Sequence, residues 1–225
     1  MSDAALEHAA VLAVVGMTRE ARILADGAVL IGGGDAAELT AKLETELRDG
    51  GRGVISFGLC GALEPSLKVG DLVVGDSVAD EGEAWAADAA WAQRLAAALP
   101  DAKVGRFARA EAPVATVADK AELRRRTGAV AVDLESYIVA KQARWFGAPF
   151  AILRAVSDDA SRTLPHAARV GLGPDGRPAI GAVLASLGAN PWQIPSLVRT
   201  ALEAEDGFHA LERARAALGP GLGMV

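Results

Sequence analysis

Cysteine occurs once in these 225 residues, at Cys60, so no disulfide can form within the chain and a reducing compartment is expected. Histidine occurs three times (His8, His166 and His209), with no spacing that would gather the rings on a metal. Cations are outnumbered as well. Twenty-three Lys and Arg against 29 Asp and Glu leave a net charge of −6, which argues against the basic footprint that general nucleic-acid binding requires. No apolar run approaches the ~18 residues of a membrane-spanning helix. The opening MSDAALEHAA has neither a basic segment nor an apolar core, so no signal peptide is expected and the protein is placed in the cytoplasm.

What is present is enough for one sizeable core. The chain is 51% hydrophobic and 23% charged, and no stretch of linker composition divides it, so residues 1–225 are read as one domain. Its organising stretch is AVAVDLESYIVAKQARWFGAPFAILRAVSDDA, residues 129–160. This reads as a strand (129–133), a helix (135–146), a Gly147–Pro149 stop and a second strand (150–156). Leu134, Ile138, Val139, Ala143 and Phe146 recur at helical spacing. Gly147 suits the left-handed residue after a helix, and Pro149 prevents continuation. The second strand is almost continuously apolar, as in a parallel strand covered on both faces. A right-handed βαβ crossover would make the two strands parallel neighbours ~4.8 Å apart. Glu135 and Asp158 would then emerge at the same carboxyl-terminal edge, where open α/β sheets bind ligands. A helix-start Glu and a Ser-Asp-Asp turn are also common without any function.

The remaining elements follow in order. Val11–Val15 is a short apolar strand ending at Gly16. Thr18 can cap a helix with Glu20 in its first turn, and capping alone would account for both. Gly27–Ile31 reads as a return strand and Gly32–Gly34 as a tight turn without the spacing of a dinucleotide or P-loop motif. Asp35–Asp49 carries Leu39, Leu43 and Leu47 at i,i+4 steps and ends at Gly50-Gly51. Gly53–Phe57 is a strand leading into a glycine-rich turn, in which Gly58 and Gly61 let backbone approach a ligand. Trp85 and Trp91 fall on or beside an alanine-rich helix, about 86–99. Asp119–Thr127 is a short charged helix. Residues after 160 hold loops, short helices and a long amphipathic helix, 194–218.

AVDLES followed by LRAVSDDA resembles the paired motifs of the purine nucleoside phosphorylase and nucleosidase superfamily. The run GLCGALEPSLKVGDLVV resembles its glycine-rich turn and the Gly-Asp that opens its next long strand. The resemblance spans about Val11 to Leu211, with Leu134 standing where Met is usual. It implies a three-layer α/β fold with a mixed, mostly parallel twisted sheet flanked by helices. It also implies cleavage of the N-glycosidic bond of an adenine nucleoside. Glu135 would hold the ribose, and Asp158 beside Ser157 would face the purine and protonate nitrogen 7. Glu20 would activate the attacking water. Leu134, Gly58, Gly61, Pro113 and Val114 would line the substrate.

In phosphorylases of this superfamily a Ser in the turn and an Arg just before it contact phosphate. Here Leu59 and Ser56 stand in those places, which favours water as nucleophile. Arg19 and Arg22, beside Glu20, keep phosphate open as a co-substrate. No metal or organic cofactor is implied, and relatives form homodimers or larger oligomers. The long segment 160–225, with SFGLCGAL and LRAVSDDASRTLP, resembles the hopanoid-associated branch and implies adenosylhopane as substrate. A rigid apolar 5′ substituent would need the cavity to open onto an apolar surface in 160–195, where Leu164, Trp192 and Ile194 are candidate contacts. The alternatives are an enzyme of simple purine nucleosides and a non-catalytic nucleoside sensor.

Overall fold

The computed structural model describes residues 11–224 apart from 25, 26, 34, 51, 81, 171, 172, 174 and 178; His8, Gly34 and Gly51 lie outside the described residues. The elements in chain order are β1 (Val11–Val15), α1 (Thr18–Ile23), β2 (Ala28–Ile31), α2 (Ala36–Leu47), β3 (Gly53–Ala62), β4 (Leu72–Asp80) and β5 (Glu83–Ala86). They continue with α3 (Ala89–Ala98), β6 (Lys103–Arg109), α4 (Val117–Thr127), β7 (Ala131–Asp133), α5 (Ser136–Phe146) and β8 (Phe150–Asp158). The chain ends in α6 (His166–Arg169), α7 (Ile180–Ala189), a 3-10 turn (Pro191–Gln193) and α8 (Ile194–Leu218).

Among the described residues the strands form one mixed, mostly parallel eight-stranded sheet, ordered β2-β1-β3-β7-β6-β4-β5, with β8 pairing both β3 and β4. The second pairing of β8 bends the middle of the sheet round on itself. Running β3–β8–β4–β6–β7 and back to β3, five strands close into a ring, from which β1 and β2 continue at one side and β5 at the other. Side chains alternate between two cores, as the two-residue period of a strand requires. Val11, Ala13 and Val15 pack with Trp91 of α3 and Phe208 and Leu211 of α8. Leu12 and Val14 pack with Leu39, Leu43 and Leu47 of α2 and Val139 and Ala143 of α5. Both faces are covered, which is why the strands read as continuous apolar runs.

Several local expectations hold for local reasons. The helix expected over 35–49 is present as α2, and Asp35 caps it, its side chain accepting from Ala37 and Glu38 N–H. Gly147 ends α5 at φ 67° in the left-handed region that favours glycine. Others need correction. β7 and β8 are not parallel neighbours. β3 lies between them, pairing β8 in parallel and β7 antiparallel. Trp85 lies in β5 rather than on a helix, and Asp88 starts α3. The expected glycine-rich turn is strand: β3 runs on through Gly58 and Gly61, with a register shift between Cys60 and Gly61.

Candidate active site

The three acids singled out in the sequence meet at one cavity of about 250 Å³. Glu20, Glu135 and Asp158 all line it, with Leu134, Gly61, Pro113, Val114, Ser157 and Leu164. The convergence does not come from a βαβ crossover. Val132 of β7 and Asp158 of β8 stand opposite the same residue of β3, Gly61, from its two sides. The two acids therefore flank β3 instead of sharing an edge between adjacent strands.

Glu20 is buried although α1 is only six residues long. Its Oε2 accepts from the N–H of Gly16 and Met17, each at 2.8 Å, and its Oε1 accepts from Leu59 N–H at 2.7 Å. A carboxylate offers about four lone-pair sites, so Oε1 keeps one for a further donor. Burial raises the Glu20 pKa, while Arg154 and the three backbone N–H groups oppose the rise. Thr18 is not the helix cap; Met17 holds that place, and the Thr18 hydroxyl donates to Gly176 O at 3.3 Å. Gly58 does not line the cavity. Its φ is +149°, and a Cβ there would stand 2.4 Å from Glu20 Oε1, so its role is to make room for that carboxylate.

Glu135 packs against two glycines. A Cβ on Gly16 would lie 2.8 Å from its Oε1, and one on Gly32 3.2 Å from its Cγ. Arg154, fully buried on β8, ties the acids together. Its Nη2 donates to Glu135 Oε2 at 3.0 Å and to Ser56 Oγ at 2.5 Å. Its Nε faces Asp133 Oδ2 at 2.7 Å, and its Nη1 donates to Leu59 O at 3.2 Å. Burial pushes the Glu135 carboxyl up to about 7, Arg154 opposing and the Asp133 and Glu20 charges adding to the rise. Ser56, in the place where phosphorylases carry an arginine, is bound inside this network.

Asp158 faces the other side of β3. Its Oδ2 is paired with Lys120 of α4 at 2.5 Å, and Ser157 Oγ lies 3.2 Å from Oδ1. Burial raises its pKa, while Lys120 and Ser157 oppose the rise. Gly61 opens the space beside it: a Cβ there would stand 3.2 and 3.3 Å from the two carboxylate oxygens. Cys60 also lines the cavity, and burial pushes its thiol well above its ordinary range, which suits packing rather than nucleophilic attack.

Arg19 and Arg22 do not join the site. Arg19 is ion-paired with Glu205 of α8 and lies over the Phe208 ring, 4.0 Å from its centroid. Arg22 faces a separate cleft with Glu212 and Arg215. Trp192 and Ile194 are exposed and away from the lining, whereas Leu164 is part of it. A larger cavity of about 410 Å³ adjoins across Leu134 and Glu135, but it holds neither Glu20 nor Asp158.

The sequence reading missed Arg154, Asp133 and Lys120. The signal for Arg154 was present, since a cation inside an apolar strand buried on both faces demands anionic partners. Lys120 carried no such signal among the charges of α4.

A family model described as the Phosphorylase superfamily matches residues 7–187. No curated protein matches. Among solved structures, the chain is similar to a mutant of the methylthioadenosine nucleosidase (MTAN) of Helicobacter pylori with 5′-methylthioadenosine in its active site. That match has a TM-score of 0.65 and 16% identity, covering 92% of this chain and 97% of that one. It is similar to the 5′-methylthioadenosine/S-adenosylhomocysteine nucleosidase of Campylobacter jejuni, at a TM-score of 0.61 and 17% identity over 90% and 98%. It is also similar to the futalosine hydrolase of Helicobacter pylori, at 0.59 and 17% over 66% and 87%.

Proposed function

The chain belongs to the phosphorylase superfamily, and on that premise we propose that it cleaves the N-glycosidic bond of an adenine nucleoside with water as nucleophile. The observation that carries this is the meeting of Glu20, Glu135 and Asp158 on one cavity. As the bond to the base breaks, the sugar gains positive charge and the purine gains electrons, as in glycoside hydrolysis. Glu135 binds the ribose hydroxyls and, as a carboxylate, offsets the sugar's charge. The free lone pair of Glu20 Oε1 takes a proton from water as the hydroxide adds to the anomeric carbon. At rest the proton lies on Lys120 and Asp158 is ionised; as the base departs, that proton crosses to Asp158 and on to nitrogen 7, so adenine leaves neutral. Water is favoured over phosphate because Arg19 is paired with Glu205, Arg22 lines a separate cleft and Leu59 gives the cavity only an apolar side chain.

The finer reading is a lipid-linked nucleoside, adenosylhopane, with adenine released during hopanoid side-chain assembly. One observation favours it. Thr200 and Ala204 of α8 line the cavity, and the same helix exposes Ile194, Val198 and Leu202 at i,i+4,i+8 steps, with Trp192 before it and Ile180 and Leu184 exposed on α7. The test is incubation with adenosine, 5′-methylthioadenosine and adenosines carrying bulky apolar 5′ groups in mild detergent, with and without phosphate, followed by product masses. Adenine with free sugar supports hydrolysis, and a sugar phosphate formed only with phosphate overturns it. Each buried CH₂ contributes ~0.8 kcal/mol, so apolar 5′ groups should raise kcat/KM over adenosine. Equal or better use of plain adenosine removes the hopanoid reading alone.

A further inference from the structure

Two cations are fully buried among the described residues. Arg154 serves Glu135 and Asp133, while Lys120 has so far appeared only as the proton-sharing partner of Asp158. Its ammonium has three N–H bonds and meets three acceptors: Asp158 Oδ2 at 2.5 Å, Asp159 O at 2.7 Å and Arg162 O at 3.3 Å. No donor is left over for a ligand, and Lys120 does not line the cavity. Asp158 does. One of its oxygens is taken by Lys120, and the other has beside it the Ser157 hydroxyl, which is equally placed, at 3.2 Å, to donate to Cys60 O. The space that Gly61 leaves open adjoins both oxygens.

We propose that Lys120 is a specificity-determining positioning residue: by holding Asp158 through Oδ2 as a carboxylate, it leaves Oδ1 as an acceptor at the cavity, and so selects purines with an amino group at position 6 over purines with a carbonyl there. This rests on the reading of the cavity as an adenine-nucleoside site. An ionised carboxylate only accepts hydrogen bonds. A 6-amino group supplies the donor, whereas a 6-carbonyl meets the carboxylate lone pair to lone pair, with no proton between them. In a buried site that mismatch leaves both groups unsatisfied, and sites built around one hydrogen bond reject the analogue lacking it by up to ~10⁴–10⁵-fold. Without Lys120, burial acts on Asp158 unopposed by that cation. The carboxyl then holds a proton more readily and can donate it to a 6-carbonyl.

The experiment compares kcat/KM for the best-cleaved adenine nucleoside and its 6-oxo counterpart in the wild type, Lys120→Met and Lys120→Arg. The wild type should prefer the 6-amino substrate about 10²-fold or more. Lys120→Met should narrow that preference to within about tenfold, and Lys120→Arg should restore part of it. A purely structural role would lower both substrates alike and leave the ratio unmoved, which overturns the proposal. Should Lys120→Met fail to melt cooperatively, calorimetric binding of adenine and hypoxanthine to the wild type decides without a variant, and equal affinities overturn the proposal. Adenine release with an unchanged ratio sinks this inference alone, whereas no adenine release from any nucleoside sinks the reading beneath it.

Discussion

Gly58→Ala tests the packing of the site without touching a group that reacts. Gly58 sits at φ +149°, a region open essentially to glycine, and a side chain there costs ~1–3 kcal/mol in backbone strain. The added Cβ would also stand 2.4 Å from Glu20 Oε1, 2.6 Å from Glu20 Cδ and 2.9 Å from Arg154 Nη1. Neither neighbour is a free side-chain end: Glu20 is held by three backbone N–H groups, and Arg154 by Asp133, Glu135 and Ser56. Overpacking of this kind adds ~1–3 kcal/mol. Taken together, a loss of roughly 3 kcal/mol corresponds to a fall in Tm of about 6–12 °C for a chain of this size. On the proposed role of Glu20 in activating water, a ~1 Å misplacement of its carboxylate should cost about 10²-fold in turnover. Calorimetry and a chromatographic assay of adenine release read the two effects. Wild-type Tm together with wild-type turnover would refute the account of Gly58 as the space that Glu20 needs.

Other perturbations bear on single groups. Asp158→Asn should lower turnover by ~10²–10⁴-fold while the protein still melts cooperatively, and adenine release at the normal rate would show the acid to be misassigned. Glu135 has a folded pKa of about 7, above its unfolded value of ~4.3, so its contribution to stability is fully present below the unfolded value and is lost as pH rises through the folded one. Glu135→Gln should therefore flatten the decline of urea-measured stability between about pH 4.5 and 7.5, and an unchanged slope would contradict the assignment. Arg19→Ala should leave turnover within about threefold and cost less than ~1 kcal/mol, since the Arg19–Glu205 pair is half exposed. A large loss accompanied by a new dependence on phosphate would put Arg19 back in the site.

What the sequence disclosed depended on how local each cause was. The start of α2 at Asp35 and the end of α5 at Gly147 are decided within a few residues, and both were readable. The apolar stripe Leu39, Leu43 and Leu47 and the run Phe150–Val156 were readable too, because burial writes its period directly into the chain. The order of strands was not. Whether β7 and β8 touch depends on β3 being inserted between them and on β8 also pairing β4, and no spacing within residues 129–160 encodes partners that lie so much earlier in the chain. Gly58 and Gly61 read as a turn because glycine marks turns more often than strands. Here they remove side chains where Glu20 and Asp158 must fit against a continuing strand.

The site divides along the same line. Glu20 and Glu135 each follow a strand by a short turn and Asp158 is the last residue of one, and their motif contexts single them out although β7 and β8 are not neighbours. The groups that hold them were harder to see. Arg154 sits between Leu153 and Ala155 in a strand with both faces buried, so its charge alone required at least one buried carboxylate nearby; Asp133 and Glu135 supply two. That inference was available from LRAVSD without any structure. Lys120 is the opposite case, one of four Lys and Arg between residues 117 and 127 with nothing in its spacing to set it apart. Only the docking of α4 against the loop after β8 buries it, while Arg124 and Arg125 on the same helix stay exposed. A buried ion pair costs desolvation that a surface pair avoids, so the sequence-silent Lys120–Asp158 contact must be compensated by its fit. Three acceptors for three N–H groups supply that fit, and they fix the carboxylate at the edge of the cavity where the base is expected.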